Sequence, residues 1–482
     1  MNIRFVMKVL GMMHVIESCF LLGATGVAFW YDGSDFYPLL ISFCVMISVG
    51  ALLWLAGRSA SQTYAGRREG SLAVALTWLM LTCFGMLPYL LGGYVDNVTD
   101  AFYETMSGFT TTGASIFREV ETLPHGILFW RSLTQWQGGV GIIVFTVALL
   151  PLVGGGANQL FDAETSAIMH EHFLPRITQI AKRFFGIYVL ITCVLTLLLW
   201  LGPMDFFDAL NHAMTTVSSG GYSTKNNGLV FWDSPYIYYV TTFFMFVAAL
   251  NFTLIYFLFK GKGSKITKNE ETRYFAAFIL IPTLLMLVLQ LIHNHGDNVE
   301  QVFRTTLFQI TSLITTTGFV VTDYVGWGSI FTMIALILMT VCGCAGSTAG
   351  GLKMGRFVIL IKNTKNEFKK QTHPNAVIPV RMNGQVIPEH IVQRVQTFAF
   401  IYLALIITGS AVLLVDGQSF DEAVGLAVSA ISNVGPALGQ YANGVVADLD
   451  EVVKWTLAFL MVVGRLEIFT VLALFMPAFW KR

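Results

Sequence analysis

The chain has 482 residues, 55% of them hydrophobic and only 12% charged. Soluble domains carry about 25% charged residues, so the composition excludes an ordinary soluble protein and points to lipid as the solvent. The formal net charge is zero, and no nucleic-acid partner is expected.

Apolar stretches of about 20 residues, enough to cross a hydrocarbon core of roughly 30 Å, recur along the whole length. The expected fold is therefore an all-α polytopic membrane protein. Ten spanning helices are predicted, near residues 5–31, 37–57, 71–95, 127–151, 184–202, 235–259, 274–293, 329–361, 395–415 and 452–480. The first is too long for a signal-peptide core and lacks a small-x-small cleavage site, so it is expected to remain as a helix. Six cysteines (Cys19, Cys44, Cys83, Cys193, Cys342, Cys344) lie in or beside these segments without zinc spacing. Cys342 and Cys344 are too close for an unstrained disulfide, and all six read as small buried hydrophobes.

The polar connections are of two kinds. Lysine and arginine crowd residues 57–68, 260–273 and 362–394, whereas Asp32, Asp35, Asp96, Asp100, Asp297, Glu300, Asp448, Asp450 and Glu451 mark the others. Basic short loops stay in the cytoplasm, which puts the acidic connections outside. The loop 152–183 mixes both signs, and parity with the others places it inside.

Between the spans lie four semi-polar segments that align without gaps on one glycine each: DAFYETMSGFTTTG ending at Gly113, DALNHAMTTVSSGG at Gly221, TTLFQITSLITTTG at Gly318 and EAVGLAVSAISNVG at Gly435. Thirteen residues before the glycine stand Asp100, Asp208, Thr305 and Glu422, suited to a helix start. Six before are Ser107, Thr215, Ser312 and Ser429. Four before are the apolar Phe109, Val217, Ile314 and Ile431, and three before are Thr110, Ser218, Thr315 and Ser432. Small residues also let membrane helices pack closely. Packing explains the composition but not the shared register, which indicates fourfold internal repetition. Each copy reads as helix, short half-helix, extended glycine-bearing strand, helix. The predicted organisation is an N-terminal transmembrane helix pair over 1–70 and repeats over 71–160, 161–262, 263–375 and 376–482.

Non-helical backbone at membrane depth survives only inside protein or along a wet cavity. Four such strands around one axis would turn a ring of carbonyls inward to replace a cation's hydration shell. Glycine supplies the φ > 0 conformation that aims successive carbonyls alike. The half-helices would point their partly negative C-terminal ends at the same place. Candidate ion-binding residues are Thr110, Thr111, Thr112 and Gly113; Ser218, Ser219, Gly220 and Gly221; Thr315, Thr316, Thr317 and Gly318; and Ser432, Asn433, Val434 and Gly435. Gly113 and the Thr110 column are expected to carry the architecture, and Thr111 and Thr112 to tune the ion.

These residues carry a resemblance. The helix–loop–helix unit repeated four times, with TTTGAS, SSGGYSTKN and TTTGF at its turns, resembles the Trk/Ktr/HKT superfamily of potassium transporters over about residues 71–480. The extra N-terminal pair resembles the bacterial TrkH branch more than the shorter KtrB type. The resemblance implies four pore loops around a pseudo-fourfold axis, K⁺ as the transported ion at the filter residues, and an inner-membrane location. It further implies a homodimer and a cytosolic, TrkA-like nucleotide-binding regulator docked on the basic loops. The fourth run departs from the pattern, with Asn433 and Val434 where the first and third have threonines. In the second run Gly220 competes with Gly221, but the aspartate spacing and the Gly-Tyr/Gly-Phe step favour Gly221.

The eighth predicted span contains CGCAGSTAGGLK, from Cys342 to Lys353. Four glycines within 343–351, each costing about 1 kcal/mol against alanine in a helix, argue for an unwound stretch. The expectation is an intramembrane gating loop carrying Gly343, Gly346, Ser347, Thr348, Gly350, Gly351 and Lys353. A groove for a neighbouring helix, formed by Gly346 and Gly350, is the other reading. Arg465 in the last span is costly at membrane depth and needs a polar cavity or a partner. It either faces the pore below the filter, as the resemblance implies, or joins a structural ion pair. Glu467, two residues on, lies on another face.

His14 and Glu17, one turn apart, are candidates to pair. His212 reads as a packing or hydrogen-bonding residue, and His170-Glu171-His172 as a surface cluster. No Walker loop, dinucleotide fingerprint, HExxH or GxSxG is present. No bound cofactor is expected, and a nucleotide would act only through a partner. The rival within transport is a proton- or sodium-coupled symporter of the same fold. A membrane-embedded enzyme would need a nucleophile–base pair or metal ligands, which the sequence does not offer, and a scaffold leaves the repeat unexplained.

Overall fold

A computed structural model describes residues 1–59, 66–153, 177–293 and 298–480. Helices connected by irregular segments make up the fold, and one hairpin, Arg381–Met382 with Gln385–Val386, lies between the third and fourth repeat segments. The N-terminal pair, Ile3–Trp30 and Phe36–Gly57, packs closely because Gly11 leaves room for the backbone of Trp54. A β-carbon there would overlap the facing helix.

Among the described residues six helices are long and apolar enough to cross a membrane, or seven if one bent pair counts as a span. Ten were expected, and three of the expected spans are broken. Residues 235–259 form Pro235–Ala248 and Phe252–Phe259, bent by 106°. Asn251 at the break caps the second piece, accepting the Thr253 N–H at 2.8 Å. Residues 329–361 divide into Ser329–Val341 and Met354–Thr372, separated by irregular backbone. The last span ends at Arg465, with Glu467 at φ 64° before Ile468–Ala473. A hydropathy window averages across such breaks, because the few polar residues that make them, Asn251, Lys353 and Glu467, are outnumbered by apolar neighbours.

Four short helices, Val98–Phe109, Phe206–Val217, Val299–Ile314 and Phe420–Ser432, lie in the protein interior. Their N-caps are Asn97, Asp205, Asn298 and Ser419, so three of the four residues expected to cap or favour the helix start, Asp100, Asp208 and Glu422, sit in the first turn rather than at the cap. Asn97 accepts the Asp100 N–H at 2.7 Å and Asp205 that of Asp208 at 2.6 Å. Asp100 and Asp208 are instead free to take lysines: Lys454 at 2.6 Å and Lys225 at 3.3 Å. The third short helix starts a turn early, so Thr305 sits inside it and bonds back to the Gln301 carbonyl at 2.9 Å. The segments after the helices are extended but unpaired with one another, apart from one parallel bridge, Ser115 with Val445.

Two further expectations change. His14 and Glu17 do not pair: the His14 ring bonds the Leu10 carbonyl at 2.8 Å and meets Phe84 edge-on, while Glu17 faces the amide of Gln137. His14 is satisfied by its own helix backbone and packs on a ring of a neighbouring helix, whereas Glu17 finds its partner across a helix interface. Of the cysteines, Cys342 and Cys344 are buried, but Cys19, Cys44, Cys83 and Cys193 are exposed on the protein surface. Lipid tails are as apolar as the protein interior, so no hydrophobic force turns these side chains inward. The cluster His170-Glu171-His172 and most of the loop 152–183 lie outside the described residues.

Candidate functional site

All four short helices end in the same way. The N–H one residue before the aligned glycine donates to the carbonyl six before it: Thr112 to Ser107 (2.9 Å), Gly220 to Thr215 (2.9 Å), Thr317 to Ser312 (3.1 Å) and Val434 to Ser429 (2.9 Å). This is the 6→1 bond of a Schellman cap, and it needs a left-handed residue just before the donor. That residue is Thr111 (φ 55°), Ser219 (56°), Thr316 (57°) or Asn433 (57°). Asparagine tolerates this conformation, but in the β-branched Thr111 and Thr316 it is disfavoured and is imposed by the cap and the surrounding segments. The column was read as tuning only; its structural role was signalled by Asn433, since asparagine commonly replaces glycine at this cap position.

Two residues later the backbone turns left-handed again, at Gly113 (φ 84°), Gly221 (77°), Gly318 (79°) and Gly435 (94°). A β-carbon on Gly113 would strike the carbonyl oxygen of Gly220. One on Gly221 would strike that of Thr317, one on Gly318 that of Val434, and one on Gly435 that of Thr112. The contacts run from first segment to second, third, fourth and back to first, so the four turns close on one another in sequence order. Gly221 holds the turn in the second segment, and Gly220 supplies the carbonyl.

The hydroxyl column three before the glycine secures the helix ends. Thr110 bonds the Met106 carbonyl (2.7 Å) and the Thr112 hydroxyl (2.8 Å), and Thr315 repeats this with Thr311 (2.7 Å) and Thr317 (2.9 Å). Ser218 bonds the Thr215 carbonyl at 3.2 Å, and Ser432 meets the Tyr402 hydroxyl at 2.6 Å. The departure at Asn433 is filled structurally: its amide donates to the Thr112 hydroxyl and to the Met461 carbonyl, both at 3.0 Å. Gln135, in the helix His125–Val153, donates to the Gly220 carbonyl at 2.8 Å and accepts the Tyr222 N–H at 3.0 Å. It was not singled out from the sequence, although a buried amide within a predicted span is itself a signal. A cavity of about 450 Å³ opens on one side of the turns and is lined by Gly113, Gly221 and Gly318 together with Arg131, Lys225 and Asp323.

On the other side lies the irregular stretch 342–353. Gly350 N–H donates to the Thr316 hydroxyl at 2.9 Å, and a β-carbon on Gly350 would strike the Ser432 carbonyl. Thr348 donates to the Val217 carbonyl at 3.1 Å. Backbone bonds tie the stretch to the broken helix beside it, Cys344 to Ala249 and Phe252 to Gly346, both at 3.0 Å. Ser347 bonds the Cys344 carbonyl at 2.6 Å, and Met354 N–H reaches the Gly343 carbonyl at 2.9 Å. Gly346, Gly351 and Lys353 are left-handed, and the Lys353 ammonium folds back onto the Ala349 carbonyl. Glu271, unremarked in the sequence beside Glu270, accepts the Ala345 N–H at 2.6 Å.

Arg465 joins these parts. Its guanidinium donates to the Thr348 carbonyl at 2.8 Å and to the Gly138 carbonyl at 2.6 Å. Glu467 turns instead to Arg356, at 2.6 Å, with side chains 17% and 7% exposed. Removing one partner of so enclosed a pair costs about 3–5 kcal/mol. Glu467→Ala is expected to lower the thermal unfolding midpoint of the detergent-solubilised protein, and Arg356→Ala to lower it similarly. A double variant no less stable than either single one would confirm the coupling. His212 hydrogen-bonds as expected, to the Asp208 carbonyl (2.8 Å) and the Ser223 hydroxyl (2.9 Å).

Comparison with known proteins fixes the family. The family model described as "TrkH: Cation transport protein" matches residues 38–482. The chain belongs to the TrkH family of cation transport proteins. It is a multi-pass membrane transport protein and not an enzyme. Full-length relatives include the Trk system potassium uptake protein TrkH of Escherichia coli, 34% identical with all of both chains covered. TrkI of Halomonas elongata is 30% identical, covering 99% of this chain and 97% of its own. The crystal structure of the potassium transporter TrkH from Vibrio parahaemolyticus superimposes with a TM-score of 0.90 at 33% identity over all of both chains.

Proposed function

We propose that this protein takes up potassium across the bacterial inner membrane, passing K⁺ down its electrochemical gradient through a filter made by the four glycine turns. The observation that carries this reading is the cyclic packing of Gly113, Gly221, Gly318 and Gly435 against the carbonyls of the next turn. With left-handed residues two apart in every segment, successive carbonyls are aimed alike, as cation coordination by backbone requires. The short helices end at the turns, where their partly negative C-termini favour a cation. A single glycine per segment implies few coordination sites and a looser K⁺/Na⁺ preference than a longer carbonyl ladder.

The stretch 343–351 acts as the gate. It hydrogen-bonds the turns from the side opposite the cavity, and Arg465 tethers it there while placing a positive charge beside the conduction path. The names of the relatives support K⁺ as the ion. The pseudo-fourfold arrangement of residues 71–482, assembly as a homodimer, and control by a cytosolic nucleotide-binding subunit on the basic loops complete the proposal.

The purified protein in liposomes is expected to move K⁺ in response to an imposed membrane potential with no pH or sodium gradient. A strict requirement for either gradient would make the protein a coupled symporter instead.

A further inference from the structure

Behind the turns lies an ion pair that the uptake reading does not use. Glu104, in the first short helix, is 1% exposed, and Arg131, in the helix His125–Val153, is 2% exposed. The Arg131 Nε lies 2.8 Å from Glu104 Oε1. The carboxylate also accepts the Ser115 hydroxyl at 3.0 Å and the Ile116 N–H at 2.9 Å. The guanidinium continues to the Ser115 hydroxyl at 3.0 Å and to the Ser223 carbonyl at 3.3 Å, with its centre 4.2 Å from the Tyr222 ring. The Tyr222 hydroxyl donates back to the Glu104 carbonyl at 3.0 Å, which closes the circuit.

The partners lie at corresponding places in two segments. Ser115 stands two residues after Gly113, Ser223 two after Gly221, and Tyr222 directly follows Gly221. The pair thus grips the first and second segments just beyond their turns and ties them to one helix.

Glu104 stands nine residues before its turn glycine, and that column runs Glu104, His212, Gln309, Leu426. His212 reaches the Ser223 hydroxyl at 2.9 Å, and Gln309 accepts the Val321 N–H at 3.4 Å. In this column three of the four short helices therefore send a polar side chain to the strand that leaves their own turn, Glu104 alone being charged and Leu426 apolar. From other columns Asp208 takes the Thr224 hydroxyl at 2.6 Å and Lys225 at 3.3 Å, and Glu422 accepts the Gln440 N–H at 3.4 Å. Simple core packing does not predict that the same column reaches the same strand. A buried ion pair is also a poor choice for stability alone, since apolar residues of similar volume would serve as well or better.

We propose that Glu104 and Arg131 are positioning residues that fix the spacing of the first two turns and so set the K⁺/Na⁺ preference. The inference rests on the filter reading above. Selectivity in a carbonyl ring depends on cavity size and on how freely the carbonyls move. A fork of charged hydrogen bonds restrains both more firmly than the neutral braces at His212 and Gln309.

The test uses the full-length protein in liposomes, with K⁺ and Na⁺ permeabilities compared by reversal potential. Glu104→Gln removes the charge but keeps an acceptor for Ile116. Arg131→Lys keeps the charge but loses the planar fork that reaches Ser115 and Ser223. Each is expected to lower the K⁺/Na⁺ ratio by about fivefold, within the range over which residues of one hydrogen-bond network couple. A ratio equal to that of the parent in folded variants, with only thermal stability reduced, would overturn the proposal and leave a purely structural pair. Should either single variant fail to fold, the double variant E104Q/R131Q, which removes both charges together, takes its place under the same criterion. If that also fails to fold, the pair is a folding requirement and the proposal is wrong. If the parent shows no potential-driven K⁺ flux, the filter reading fails first and takes this inference with it.

Discussion

Gly318→Ala is expected to reduce potential-driven K⁺ flux by at least about tenfold, because small misplacements of a binding constellation have effects of that size or larger. Two effects act together. Alanine at φ 79° is held in the left-handed region, which costs an L-residue roughly 1–2 kcal/mol. Its methyl would also overlap the Val434 carbonyl of the next segment and contact the Pro436 ring. The backbone can relieve that overlap only by moving one turn away from its neighbour, which opens the ring. Gly23→Ala, in the first helix where a β-carbon meets nothing within 4 Å, is the control and should conduct like the parent. Equal flux from the Gly318→Ala protein and the control, both folded, would show that the turn does not lie on the conduction path.

Removing the guanidinium in Arg465→Ala should have the opposite sign, raising K⁺ flux about tenfold. That change needs only about 1.4 kcal/mol off the barrier. Hydrogen bonds to charged groups are worth about 1.5–3 kcal/mol each, and Arg465 makes one to the Thr348 carbonyl and another to the Gly138 carbonyl. The substitution therefore frees the 343–351 stretch from its tether and, on the proposed function, removes a positive charge beside the ion path in one step. Arg465→Lys keeps the charge but cannot reach both carbonyls with one planar fork, so its flux should fall between those of the parent and the alanine variant. Arg465→Ala and parent proteins with the same flux would assign Arg465 to structure alone.

Much of the architecture was legible in the order of residues. Gapless alignment on Gly113, Gly221, Gly318 and Gly435 displayed the repetition, because equivalent turns impose equivalent residues at fixed offsets. The same alignment favoured Gly221 over Gly220, and Gly221 is the residue with positive φ. The glycines of 343–351 announced a break in the helix because local backbone propensity is a short-range property. Composition alone established a membrane solvent.

The rest depended on contacts between residues distant in sequence. Nothing local in Thr111, Ser219 or Thr316 specifies a left-handed backbone; the Schellman bond and the neighbouring segment impose it, and Asn433 alone hinted at it. The break at 249–251 is stabilised by the stretch 343–351 nearly 100 residues later, so no window of hydropathy could find it. Arg465 offered the sequence only a costly charge. Its two carbonyl partners lie 117 and 327 residues away, and packing brought them within reach. Likewise Glu104 in a semi-polar segment and Arg131 in a predicted span are two unrelated charges until the fold sets them 2.8 Å apart behind the turns. Periodicity and turn chemistry act over a few residues, and the sequence therefore determined the four turns and their register. The tertiary structure decided what closes them into a ring, because each turn is completed by carbonyls that belong to the next.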